Sequence, residues 1–240
     1  MPTPPERDGA FATPARYPHA MIETFSHADA LADAAAEAIA TQLTQGLGAR
    51  GRASLVATGG RSPGPVYDRL RAAPIDWSLV SVTLSDDRAV DAGTPDSNVR
   101  LLRERLLVGP VARARFLPLW PAHEVEAEAI AGMMPFDAVM LGMGEDGHIA
   151  SMIPGDPGLT DALATTELMR PVPAGLGKPP VARITLTLTA LTNARAIFLL
   201  IAGGAKREVI RRVQAGEDLP VGRLLARSQA PVRIFWEPGD

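Results

Sequence analysis

The chain is expected to fold as a single α/β domain with a mostly parallel sheet flanked by helices. Three observations predict this. Short apolar runs, among them Ser54–Thr58, Leu79–Leu84 and Phe136–Leu141, alternate with helical stretches of ten or so residues, the pattern of βαβ units. Phe136–Leu141 lacks polar alternation, as a strand buried on both faces does. Polar, glycine-rich segments follow two of these runs, at Gly59-Gly60 and Gly142–Gly147, where open parallel sheets hold their ligands.

The elements follow in order. Ser26 with Asp29 opens an alanine-rich helix expected to end near Gly46 and Gly48. After the strand at Ser54–Thr58, a helix is predicted over Pro63–Ala72. Leu79–Leu84 is the next strand and Asp86–Pro95 a polar loop. Ser97–Leu107 reads as a helix with Val99, Leu102 and Leu106 on one face. A strand at Arg115–Leu119 precedes a helix over Pro121–Met133, with proline in its first turn. Ile184, Leu186 and Leu188 alternate with Thr185, Thr187 and Thr189, which predicts a strand over Ile184–Leu191 with one polar face. A strand at Ala196–Ala202, a helix at Ala205–Gln214 and a strand at Val232–Trp236 complete the pattern.

The 240 residues suffice for one full core, and no repeat or long linker divides them. Residues 21–240 are expected to form the domain and residues 1–20, rich in proline, a flexible tail. A formal charge of −3 argues against a nucleic-acid or polybasic membrane surface. The absence of cysteine excludes disulfides, thiolate catalysis and cysteine-ligated metal centres. No stretch approaches the ~20 apolar residues of a membrane span, and the N-terminus lacks the apolar core of a secretory signal. A cytoplasmic protein is expected, a monomer or small homo-oligomer.

Two motifs invite misreading. Gly142-Met143-Gly144-Glu145-Asp146-Gly147 fits the dinucleotide fingerprint, with Glu167 about 20 residues on. The helix that fingerprint needs would meet Pro154 and Pro157 within about two turns, and Glu145 and Asp146 would repel a diphosphate. Gly60-Arg61-Ser62-Pro63-Gly64 fits a nucleophile elbow, but Pro63 has no N–H to give an oxyanion hole. That segment suits anion binding better. Backbone N–H groups of Gly59, Gly60, Arg61 and Ser62, at the start of a helix, form a phosphate cradle. A tight strand-to-helix turn that merely needs glycine is the plainer alternative.

Gly142, Gly144 and Gly147 let a ligand approach the backbone, while Asp146 and His148 bring a carboxylate and a titratable base to it. The other histidines carry no such pattern: His19 and His27 lie near the start, and His123-Glu124 lacks the second histidine of a zinc helix. No metal and no cofactor are expected.

Six motifs then occur in the order seen in 6-phosphogluconolactonases. They are Thr58–Pro63, Ser85-Asp86-Asp87-Arg88, Asp96-Ser97-Asn98, residues 142–155, Arg183–Thr187 and Gly203-Gly204-Ala205-Lys206. From about residue 21 to its end the chain resembles that family. The resemblance implies the Rossmann-like fold shared with glucosamine-6-phosphate deaminases and ribose-5-phosphate isomerases. It also implies metal-free hydrolysis of 6-phospho-D-glucono-1,5-lactone to 6-phospho-D-gluconate, the second step of the oxidative pentose phosphate pathway, with His148 activating water. One departure is visible: the family's usual Asp-Glu-Arg is Asp86-Asp87-Arg88 here. Deaminases carry a catalytic Glu five residues after the histidine, where this chain has Ile153, and tend to read Asp-Glu-Tyr where it has Asp86-Asp87-Arg88.

The residues themselves suggest roles. His148 suits a general base, and Asp146 could hold its tautomer provided the loop curls enough for the two to meet. Arg88, or N–H groups of the 142–147 loop, would stabilise the oxyanion. Lys206 at a helix start opposes the helix dipole unless an anion compensates, which marks it for phosphate, a solvated surface lysine being the alternative. Arg183 and Asp86 complete the expected substrate set, and Asn98 is expected to cap or brace. The rival readings are a phosphosugar sensor or inactive paralogue and, less favoured, an amino-sugar-phosphate deaminase or isomerase.

Overall fold

The structure, a computed structural model, describes residues 16–60, 62–121 and 123–239, with the backbone alone at 123–125. The first strand, β1 (Ala20–Thr24), is one the residue pattern does not announce. Helix α1 (Ala28–Arg50) runs through Gly46 and Gly48, where it was expected to end, and stops at Gly51, whose φ of 67° is left-handed. His27, rather than Ser26, caps it, its Nδ1 accepting from Ala30 N–H at 3.2 Å. Then come β2 (Ala53–Ala57), α2 (Pro63–Leu70), β3 (Val80–Leu84), β4 (Asp86–Arg88) and α3 (Asn98–Arg105). They are followed by β5 (Arg115–Phe116), α4 (His123–Ala131), β6 (Ala138–Gly142), α5 (Leu159–Ala164) and β7 (Met169–Val172). The last are β8 (Arg183–Leu186), α6 (Leu188–Thr192), β9 (Ile197–Ala202), α7 (Gly204–Gln214), α8 (Pro220–Arg227) and β10 (Val232–Glu237).

Seven strands form one sheet in the order β1-β10-β9-β6-β2-β3-β5, every neighbouring pair parallel. The central strands are the apolar runs of the sequence. Leu55, Val56, Val139, Met140 and Leu199 are fully buried, each side chain contributing about 1.5–3 kcal/mol by its removal from water. No described helix is long and apolar enough to cross a membrane.

A second, antiparallel sheet, β4-β8-β7, corrects the sequence reading twice. Asp86–Arg88, expected in a loop, pairs with β8. The strand expected over Ile184–Leu191 stops at Leu186, because Thr187 Oγ1 accepts from Ala190 N–H and caps α6. Two of its three threonines are shut off from solvent. Thr185 and Thr187 are fully buried and engage backbone groups of Ser151 and Glu167.

The ordered chain also reaches back before residue 21. Tyr17 is buried with its hydroxyl donating to the Val213 carbonyl, and Val232 N–H donates to the His19 carbonyl at 2.7 Å. Residues 16–20, expected in the tail, therefore belong to the packed structure.

Candidate active site

The carboxyl ends of β2, β3, β6 and β9 lie at one end of the parallel sheet and lead into Gly59-Gly60, Ser85-Asp86, the 142–148 loop and the Gly203–Lys206 turn. β6 delivers the 142–148 loop. There Gly144 N–H donates to the His148 carbonyl and Gly147 N–H to the Gly144 carbonyl, so the chain turns back sharply instead of entering a helix. The next helix, α5, has six residues and starts only at Leu159, which removes the dinucleotide reading. The curl brings His148 Nδ1 to 2.6 Å from Asp146 Oδ1, a carboxylate that also accepts the His148 backbone N–H at 3.1 Å. His148 is about one-third exposed and Asp146 about half. The hydrogen bond to His148 holds the Asp146 carboxyl below its ordinary value, burial opposing it.

Two glycines here are obligatory. A Cβ on Gly144 would overlap both His148 Nδ1 and Asp146 Oδ1, and Gly147, at φ 81°, would strike Leu219. Gly142 has open space around it. Beyond the histidine, Ala150 adopts φ 49°, a conformation uncommon for a residue with a Cβ and characteristic of functional sites. Ile153 is buried, its Cδ1 close to Gly177.

β2 leads into the second loop. Tyr67, on α2, grips its start: the phenol accepts from Thr58 N–H at 2.9 Å and donates to the Thr58 carbonyl at 2.6 Å. Burial raises the phenol's pKa and keeps it protonated for that task. Gly60 has φ 100°, open to glycine alone at little cost. Ser62 precedes Pro63 at the head of α2 and makes no side-chain capping bond, leaving its hydroxyl for other use. Arg61 lies outside the described residues. Thr58 opens the first of the six motifs, whereas Tyr67 carried no signal in the sequence beyond lying near the glycines.

β3 passes through Ser85 into β4. Asp86 is buried and occupied: Ser151 Oγ donates to its Oδ2 at 2.5 Å, Ser85 Oγ lies 3.1 Å from its Oδ1, and Arg183 stands 3.8 Å away. It ties the small sheet to the segment after His148. Asp87, the departure from the family pattern, is also buried. Its Oδ1 accepts from Arg88 N–H at 2.8 Å and Asn98 N–H at 2.9 Å. Burial pushes its carboxyl up to about 6, those two bonds opposing the rise.

Arg88 and Arg183 sit directly opposite one another across β4 and β8. Arg88 donates to the Asp96 carbonyl and Arg183 to the Pro179 carbonyl, yet the Nε of each is buried with no acceptor among the described residues. Two like charges face each other, each with a spare donor, an arrangement an anion would relieve. Burial lowers the Arg183 pKa. Lys206 lies half-buried in the first turn of α7, directly after β9.

This arrangement has relatives. The model of the family described as glucosamine-6-phosphate isomerases/6-phosphogluconolactonase matches residues 26–236. The chain belongs to that family. Within the glucosamine-6-phosphate isomerase/6-phosphogluconolactonase family it is 41% identical to the 6-phosphogluconolactonase of Caulobacter vibrioides, over 90% of this chain and 96% of the relative. It is 37% identical to that of Rhizobium meliloti, over 91% and 99%. Among solved structures, a 6-phosphogluconolactonase from Shewanella baltica superposes with a TM-score of 0.86 at 36% identity, covering 92% of this chain and 99% of the other. A monomeric glucosamine-6-phosphate deaminase, 17% identical with a TM-score of 0.73 over 90% and 96%, shares the fold.

Proposed function

We propose that the protein hydrolyses 6-phospho-D-glucono-1,5-lactone to 6-phospho-D-gluconate, acting in the cytoplasm, where a charged phosphosugar is retained. The contact between His148 and Asp146 carries the mechanistic reading. A carboxylate on Nδ1 selects the tautomer with the proton there and leaves Nε2 free as a base. His148 Nε2 takes a proton from water as its oxygen attacks C1. The tetrahedral oxyanion collapses, the bond from C1 to the ring oxygen breaks, and the imidazolium returns the proton to the departing oxygen. Asp146, held ionised by that same contact, stabilises the imidazolium between the two steps.

Arg88 and N–H groups of the 142–147 loop are assigned to the oxyanion, Arg183 adding a second positive charge from across the strand pair. The unsatisfied Nε groups support this. Gly59, Gly60, Ser62 and Lys206 receive the phosphate. Asp86 braces the site rather than touching substrate, its oxygens being engaged internally. Ile153, where an amino-sugar-phosphate deaminase would need a carboxylate, supports hydrolysis over isomerisation.

The test is release of 6-phosphogluconate from lactone generated in situ, above the spontaneous background. A rate proportional to protein concentration is expected. A folded protein that binds phosphosugar and gives no acceleration would be a sensor.

A further inference from the structure

At the opposite end of the sheet, about 17 Å away by the length of a five-residue strand, lies a second concavity. It is a pocket of about 450 Å³ where β2, β3, β5 and β6 begin. Four arginines line it, Arg50, Arg52, Arg115 and Arg195, against one carboxylate, Asp137. Four positive charges less one negative leave a surplus of three in a chain whose net charge is −3.

The carboxylate is already saturated. Arg50 pairs with Asp137 Oδ1, Arg195 approaches it at 3.4 Å, and Ser54 donates to Oδ2 from its backbone N–H at 2.9 Å and its hydroxyl at 3.3 Å. Arg50 also offsets the carbonyl end of α1. Arg52 and Arg115 are exposed at the pocket and make no ion pair among the described residues. Ser81 and an apolar stretch of Met133, Met134 and Pro135 complete the wall, and the methionines adapt readily to a flat ring. The volume is in the range of small-molecule sites and far exceeds an inorganic ion.

We propose that this pocket binds an organic phosphate of nucleotide size, with Arg52 and Arg115 on its phosphates and the methionine wall against its ring. The site is separate from the catalytic edge and does not depend on the lactonase reading.

Calorimetric titration of the full chain with ADP, adenosine and orthophosphate tests it, with 6-phosphogluconate in excess to occupy the catalytic edge. Saturable ADP binding is expected, weaker for adenosine and orthophosphate. It should weaken at least about tenfold in the double variant Arg52→Ala, Arg115→Ala, as loss of charged hydrogen bonds predicts. Lactone hydrolysis by that variant should be unchanged. The single variant Arg52→Ala, read the same way, serves if the pair impairs folding. Absence of saturable ADP binding, equal binding by the variant, displacement by 6-phosphogluconate, or adenosine binding as tightly as ADP would each overturn the proposal.

Discussion

The Asn98 carboxamide occupies the space that any side chain at position 59 would need. Its Nδ2–H donates to the Asp86 carbonyl at 2.9 Å, and its own backbone N–H is held by Asp87, so it cannot easily yield. The loop between β2 and α2 is thus built against the first residue of α3.

Gly59→Ala should therefore displace either the loop or Asn98. A loss of about 1–3 kcal/mol in stability is expected from the forced overlap, with a raised KM. Urea unfolding and steady-state kinetics check both, and an unaltered KM would remove Gly59 from the phosphate cradle.

His148→Ala should reduce kcat at least ~10²-fold, the ordinary yield of a general base, without altering the unfolding midpoint. Near-normal turnover by this variant would shift the water-activating role to another group.

In Lys206→Ala the effect should fall chiefly on KM, since a phosphate contact made equally in ground and transition states contributes uniform binding. A rise of roughly tenfold or more is expected for the loss of a charged hydrogen bond. Measured kcat and KM separate this from a role in the chemistry, which would lower kcat instead.

Asp87 gives a prediction in pH. Its carboxyl ordinarily titrates at 3.8 and is raised to about 6 in the folded protein. The folded state therefore binds the proton more tightly. The contribution to stability is fully present below about 3.8 and is lost as pH rises through about 6. The gap corresponds to roughly 3 kcal/mol. Asp87→Asn keeps an acceptor for Asn98 and cannot ionise. Relative to the parent it should gain stability between pH 4 and 7, read as a difference between urea unfolding curves at the two ends. A constant difference would show that the ionised carboxylate carries no such penalty.

Much of this architecture was legible because its signals are local. Phe136–Leu141 and the loop after it needed no tertiary information, and Pro63 alone disqualified the nucleophile elbow. What escaped notice depends on partners distant in sequence. Thr185 and Thr187 look like the polar face of a strand until Ser151 and Glu167 are seen to bury them. Gly46 reads as a helix stop, yet the helix passes through it, packed so closely on Asp137 and Arg50 that a Cβ there would stand 3.0 Å from each. Asp86–Arg88 is too polar to announce a strand and becomes one through pairing with β8. The spare Nε groups of Arg88 and Arg183 depend on strand register, which residue types alone do not reveal.

The pairing of β1 with β10 has a consequence for biosynthesis. Among the described residues β1 bonds to no other strand, and its Glu23 is clasped by Arg233 with contacts of 2.5 and 2.8 Å. Thr24 and Val232 are 208 positions apart, roughly 10–40 s of translation at ~5–20 residues per second. Throughout that interval the first strand lacks the surface it joins. This edge of the sheet can therefore close only once β10 has been made, and until then residues 20–24 form an unpaired segment open to a chaperone or to the wrong neighbour.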